Sequence, residues 1–179
     1  MDFSWRFDSW FRGLPKSGKD TGEVTLLVVR PPCEDGGLRE TPSSISLTPE
    51  GGIEGDKWAE SEERLIEAQV SLINVHVVRS LAGSDDRMAL SGDNLVVDLD
   101  LTEENLPAGT VLRIGSAMLE VSAIPHEPCA SFKDRYGATA AKKVGRANRK
   151  GKRGRGVMTR ILEAGEIKVG DGIIVVRQS

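Results

Sequence analysis

Short apolar runs, each closed within a few residues by glycine or proline, constrain this chain more than any other feature. Residues 24–29, 45–47, 69–73, 95–99, 110–114, 118–124, 156–162 and 173–177 carry β-branched residues or strand-like alternation, and each is too short for an ordinary helix. Pro31-Pro32, Pro107-Ala108-Gly109, Gly115-Ser116, Ala164-Gly165-Glu166 and Val169-Gly170-Asp171-Gly172 supply the turns between them. The runs flanking Gly115-Ser116 read as a hairpin. Two stretches read as helical instead. Asn74 is placed to cap a short helix through Leu81, and residues 130–144 suit a helix despite Gly137. Many short strands with few helices predict a mainly β fold, a barrel or a sandwich of mostly antiparallel strands.

Length allows one well-packed domain with a short extension, and the boundary is expected at residues 22/23, with a linker before it and one domain over 23–179. No apolar run approaches the roughly 20 residues that span a bilayer, and no secretory leader is recognisable, so a cytoplasmic protein is expected. Two cysteines, Cys33 and Cys129, are too few for a disulfide scaffold.

The net charge of −3 conceals a strong asymmetry. Residues 133–160 hold eleven of the 24 Lys and Arg residues against one acid, Asp134. The remainder carries 13 bases against 26 acids. The acidic whole argues against general nucleic-acid binding, and the basic segment argues for one anion site. Residues 142–156 read as a basic loop without interleaved aromatics, so a phosphate-bearing small ligand suits it at least as well as RNA.

Five of the eight aromatic residues lie in the first eleven positions, with Phe3, Phe7, Trp10 and Phe11 at helical spacing. Only Arg6 and Arg12 supply a basic face, so packing on the domain itself or on a second subunit is favoured over a membrane surface. Gly13-Leu14-Pro15-Lys16-Ser17-Gly18-Lys19-Asp20 comes near a phosphate-binding loop. Asp20 replaces the magnesium-binding Ser or Thr, and a strand follows where a helix should, so a linker is the reading.

Chemistry concentrates on Pro125-His126-Glu127-Pro128-Cys129-Ala130-Ser131-Phe132. A thiol at a helix start, beside many bases, meets conditions that favour thiolate. His126 is placed to accept its proton. The residues allow persulfide carriage, ligation of a transition metal, covalent catalysis, or an inert cysteine closing a strand. Cys33 reads as incidental and His76 as a surface or core-edge residue. A zinc site fails, because His76, His126, Cys33 and Cys129 lack paired spacing. The glycines of Gly51-Gly52-Ile53-Glu54-Gly55-Asp56-Lys57-Trp58 suit either a backbone that approaches a ligand or a corner plugged by Trp58.

Several pieces in order resemble the MOSC domain, the C-terminal domain of molybdenum cofactor sulfurases. They are Gly52-Ile53-Glu54-Gly55-Asp56-Lys57-Trp58, Gln69-Val70-Ser71-Leu72-Ile73, Gly92-Asp93-Asn94-Leu95-Val96-Val97, and residues 106–115. Pro128-Cys129 with Phe132, Arg155-Gly156-Val157, and residues 165–171 complete the set. The resemblance implies a MOSC-type β-barrel with a few short helices. It places Cys129 at the family's characteristic cysteine, as a sulfur carrier or as the protein ligand to molybdenum in a pterin cofactor. Asp56, Asn94 and Arg155 would line the cofactor site, with His126 beside Cys129 in the chemistry. Reduction of N-hydroxylated substrates, cofactor handling and sulfur transfer are the implied activities. A redox partner, a cysteine desulfurase or a second copy of the chain would be the partner, and nucleic acid is not expected. The resemblance covers no aminotransferase-like domain, so pyridoxal phosphate is not expected. Trp58 and Ala68 depart from the family pattern, where His and Arg are frequent.

Overall fold

The computed structural model describes residues 4–34 and 37–177. Seven strands close into a barrel: β1 (Thr21–Leu27), β4 (Val70–Asn74), β5 (Leu95–Asp98), β6 (Val111–Ile114), β7 (Ala117–Val121), β8 (Val157–Glu163) and β10 (Gly172–Val176). Their order around the wall is β1-β10-β6-β7-β8-β4-β5, and β5 pairs back onto β1. Every pairing is antiparallel except β4 with β5. A parallel pair needs a crossover. It is supplied by the helix α2 (Val75–Ala82) and a 3₁₀ stretch, Asp85–Ser91. A separate three-stranded sheet, of order β3-β2-β9, joins β2 (Ser44–Thr48), β3 (Gly52–Ile53) and β9 (Gly165–Lys168).

Alternation decides which side chains fill the barrel. Along β7, Ala117, Leu119 and Val121 are buried and point inward, and along β10 Ile173 and Val175 do the same. With Val24, Leu72, Leu95, Leu112 and Ile114 they form one continuous core. Each such large side chain contributes roughly 1.5–3 kcal/mol on burial. β4 and β5 are buried almost throughout, because α2 covers their outer face. Ile73 and Val96 pack there against Val75, Val78, Ala82 and Met88.

Asn74 caps α2 as expected, its side-chain oxygen accepting from the N–H groups of His76 and Val77. The helix α3 runs from Ala130 to Arg149, kinked at Gly137 (φ 88°, ψ 164°). The helix therefore continues past the expected end at Val144, and residues 145–149 are helical, not loop as the composition suggested. A third apolar cluster anchors the helix as far as Val144, where Phe132, Ala140 and Val144 pack with Val77 at helical spacing. Arg146 on Asp8, with Asn148 on the His126 carbonyl, holds its last turns.

The aromatic start folds as α1 (Ser4–Arg12) and lies on its own domain. Trp10 and Phe11 pack on the third cluster, the Trp10 indole donates to Ser80 Oγ at 3.1 Å, and Lys143 sits over its ring. Phe3 and the side chains of Trp5 and Phe7 lie outside the described residues. The phosphate-loop look-alike is a connector that ends in β1 at Thr21. Gly165 and Glu166, read as part of the turn Ala164-Gly165-Glu166, instead open β9. The pairing of β9 with β2 is long-range, so no local pattern announces it.

Candidate functional site

The turn after β7 carries Pro125, His126, Glu127 and Pro128 to Cys129, which is the N-cap residue of α3 and is exposed. Two contacts from Asn148 fix this turn. Its amide donates to the His126 carbonyl at 2.9 Å, and its oxygen accepts from the Arg155 N–H at 3.0 Å. One side chain near the end of α3 therefore ties the thiol's turn to the strand that returns beneath it.

Below the turn, Asp93 and Arg155 are almost completely buried and form an ion pair at 2.5 Å. The Arg155 guanidinium also donates to the Ser91 carbonyl at 3.1 Å and lies 4.7 Å over the Phe132 ring. His126 Nδ1 stands 3.6 Å from the second Asp93 oxygen. That oxygen, His126 Nδ1 and Arg155 Nε are buried without hydrogen-bond partners among the described residues. Burial pushes the His126 imidazole down to about 4; Asp93 opposes the shift, and Arg155 and Arg30 assist it. The imidazole is thus neutral at physiological pH.

A second buried pair forms the adjoining wall. Asp56 accepts from Arg30 through the backbone N–H and Nε, both at 3.0 Å, and through Nη2 at 2.8 Å. The Trp58 N–H and the Asn94 amide add two more donors, each at 3.0 Å. Burial alone would raise the Asp56 carboxyl, but hydrogen bonds and charge from Arg30, with the backbone donors, hold it below the ordinary carboxylate range. Asn94 also donates to the Val28 carbonyl and accepts from Ser71 N–H and Oγ. Trp58 is the buried plug of this corner, and its ring lies where a side chain on Gly52 would go. The corner reading of the glycine-rich turn holds, with Trp58 as its plug, and Asp56 beside it orients the Arg30 side chain.

These elements surround a cavity of about 450 Å³ lined by Arg30, Arg39, Lys57, Arg135, Arg155, His126 and Cys129, with Glu127 as its acid. Of the residues singled out in the sequence, Cys129, His126 and Arg155 line it directly. Asp56 and Asn94 lie behind the wall and act on it through Arg30 and Ser71. Cys33 is exposed in the loop leading to Arg39, and His76 sits 3.5 Å from Asp98, away from the cavity lining.

Arg30, Arg39, Lys57 and Arg135 were not legible as site residues. They come from three separate segments, and only the barrel's closure brings them together. Of the bases in residues 133–160, Arg135 and Arg155 line the cavity, and others are engaged elsewhere. Arg146 and Lys150 hold Asp8 of α1, and Arg153 donates to the carbonyls of Leu101 and Leu106. A further cavity of about 320 Å³, beneath residues 14–19, contains no thiol. Among the described residues no cluster of three or more His, Cys, Asp or Glu could hold a metal ion, and no helix is long and apolar enough to cross a membrane.

A closed, mostly antiparallel barrel that presents one cysteine at a helix start beside a cation-lined cavity defines a β-barrel module built around a single thiol. A MOSC domain profile matches residues 52–174, and the chain belongs to the MOSC domain family. A sequence search finds no matching curated protein. Among solved structures, the chain is similar to the YuaD protein of Bacillus subtilis, at 17% identity and a TM-score of 0.62, covering 88% of this chain and 97% of that one. It is similar also to YiiM from Escherichia coli (20% identity, TM-score 0.55, covering 88% and 71%). YiiM from Geobacillus stearothermophilus matches at 18% identity and a TM-score of 0.58, covering 87% and 75%. At these identities the likenesses establish the fold.

Proposed function

We propose that this chain binds a molybdenum–pterin cofactor through Cys129, for reduction of N-hydroxylated substrates or for handling of the cofactor. The observation that carries this reading is the exposed Cys129 thiol opening on a cation-lined cavity of about 450 Å³. That volume suits a small-molecule ligand. A thiolate is a soft ligand appropriate to a transition metal. Arg30, Lys57 and Arg135 suit the anionic end of such a cofactor. The residues present therefore fit the group that the family implies.

When bound, that group would supply the two-electron chemistry. The chain's own residues prepare the place. Asp93 and Arg155 form a rigid floor, and Asn148 fixes the turn that carries His126 and Cys129. His126, neutral and buried, offers an imidazole that can donate a hydrogen bond from one ring nitrogen and accept one at the other without adding charge to the cavity. Asp56 orients the Arg30 fork through two oxygens.

Expression in a cofactor-competent host followed by elemental analysis tests the reading. Wild-type protein should carry molybdenum, and Cys129→Ser should lose most of it. Equal, negligible molybdenum in both would remove the ligand assignment. The exposure of Cys129 also favours a second reading, a persulfide carrier that receives sulfur from a cysteine desulfurase. Intact-mass analysis after incubation with a desulfurase should then show one added sulfur atom, absent in Cys129→Ser.

A further inference from the structure

We infer that the cavity of about 320 Å³ beneath residues 14–19 is a second binding site, for a small amphipathic carboxylate whose charged end meets Arg153 and whose apolar body lies on Phe11, Leu14 and Val77. This goes beyond the reading above, and the two cavities share no lining residue.

The cavity lies at the seam of two cores. Phe11 and Leu14 pack on the third apolar cluster with Val77, and Leu101 belongs to the barrel core. The connector before β1 forms the roof and is tied down at three points. Asn74 Nδ2 donates to Ser17 Oγ at 2.9 Å, the Asp100 N–H to the Gly18 carbonyl at 2.8 Å, and Asn105 Nδ2 to the Lys19 carbonyl at 2.9 Å. The space is therefore preformed, and its volume and apolar floor are those of a small-ligand pocket.

Arg153 supplies the charge. Its φ of 48° is the only positive value among the described non-glycine residues. Arginine gains nothing locally from the left-handed region, so the surrounding contacts impose it. Nη1 donates to the Leu101 and Leu106 carbonyls at 3.3 and 2.6 Å, and the Gly156 N–H donates to the Arg153 carbonyl at 2.8 Å. Nε and Nη2 make no hydrogen bond, and the half-buried guanidinium has no ion-pair partner among the described residues. Burial works against its charge, and Glu103 offsets this only from beyond ion-pair distance. A guanidinium so held has donors left for a carboxylate. Lys16 and Lys152, exposed and without ion-pair partners among the described residues, add positive charge to the lining. Asp100 and Glu104 in the same lining oppose a ligand of higher negative charge. One half-buried guanidinium beside an apolar floor thus suits a monoanion with a hydrocarbon body.

Titrating full-length protein with sodium octanoate at constant ionic strength tests the assignment, read by calorimetry and by backbone amide shifts. Saturable binding is expected, with the largest shifts at Ser17, Val77 and Thr102. 1-Octanol, which lacks the charge, should bind about tenfold more weakly, and Arg153→Met should weaken octanoate by about the same factor. Leu14→Trp, which fills the cavity from the connector, should abolish binding and leave the far-ultraviolet spectrum of the strands unchanged. No saturable binding, equal affinity for octanol, shifts centred on Gly92 and Ser131, or undiminished affinity in Arg153→Met would each overturn the assignment. Should Arg153→Met not fold, the wild-type shift map and Leu14→Trp decide, and octanoate binding retained in Leu14→Trp overturns it. None of these readouts depends on molybdenum, so this site and the cofactor reading stand or fall separately.

Discussion

His126 sits in an environment that its position in the sequence does not announce. In the folded chain its imidazole titrates at about 4, against an ordinary 6.5. The unfolded chain therefore takes up a proton below pH 6.5 that the folded one refuses, so stability is intact above pH 6.5 and falls as pH drops toward 4. Asp93, Arg155 and Arg30 act on the imidazole, and the net loss should be on the order of 3 kcal/mol by pH 4. Urea unfolding at pH 7 and pH 5 should show the loss in wild type and a much smaller one in His126→Gln. Equal losses would place the titration elsewhere. Arg155 sets the complementary case, because its removal leaves Asp93 charged and buried. Arg155→Met should cost ~3–5 kcal/mol at pH 7, read as a lowered urea midpoint. A cost below 1 kcal/mol would mean that Asp93 takes up a proton or finds water.

At the level of elements, α3 and α1 behave as one unit. α3 carries Cys129 at its start, and α1 lies across it through Trp10, Phe11 and the Asp8 contacts to Arg146 and Lys150. Trp10→Ala removes a partly buried ring and an indole hydrogen bond, and should lower stability by about 1–3 kcal/mol. The barrel should remain folded, visible as an unchanged far-ultraviolet spectrum of its strands. Gly137 interrupts α3 at φ 88° and ψ 164°, in a region essentially reserved for glycine. Nothing stands within 4 Å of a methyl group added there, so Gly137→Ala should cost ~1–3 kcal/mol from backbone strain alone. A measured cost near zero would show that the two halves of α3 can merge into one straight helix.

Across the whole molecule, charge and topology act together. Bases that cluster in sequence are dispersed by folding onto Asp8, backbone carbonyls and Asp93. Three bases scattered in sequence, Arg30, Arg39 and Lys57, meet Arg135 and Arg155 of the basic stretch in one wall. Single-stranded RNA should therefore bind weakly. Fluorescence anisotropy with a labelled oligonucleotide at low salt should show no saturation at micromolar protein, and a tight complex with a steep salt dependence would contradict this.

The strands within residues 24–29, 110–114, 118–124 and 173–177 were readable, though β1 ends at Leu27 and β7 at Val121, because period-two alternation and bracketing turns are local properties. The cap at Asn74, the helix start at Cys129 and the ordered MOSC pieces were equally readable, since each lies within a few adjacent residues. Strand β9 and the helical state of residues 145–149 were not readable. The first exists through pairing with β2 and the second is held by Arg146 on Asp8 and Asn148 on the His126 carbonyl, contacts distant in sequence. The same division runs through the site. The sequence by itself determined that the chain is a strand-rich barrel presenting Cys129 at a helix start. Only the tertiary structure decided which charges face that thiol, because an ion pair such as Asp93–Arg155 or Arg30–Asp56 depends on distance in space, and closing the barrel sets those distances.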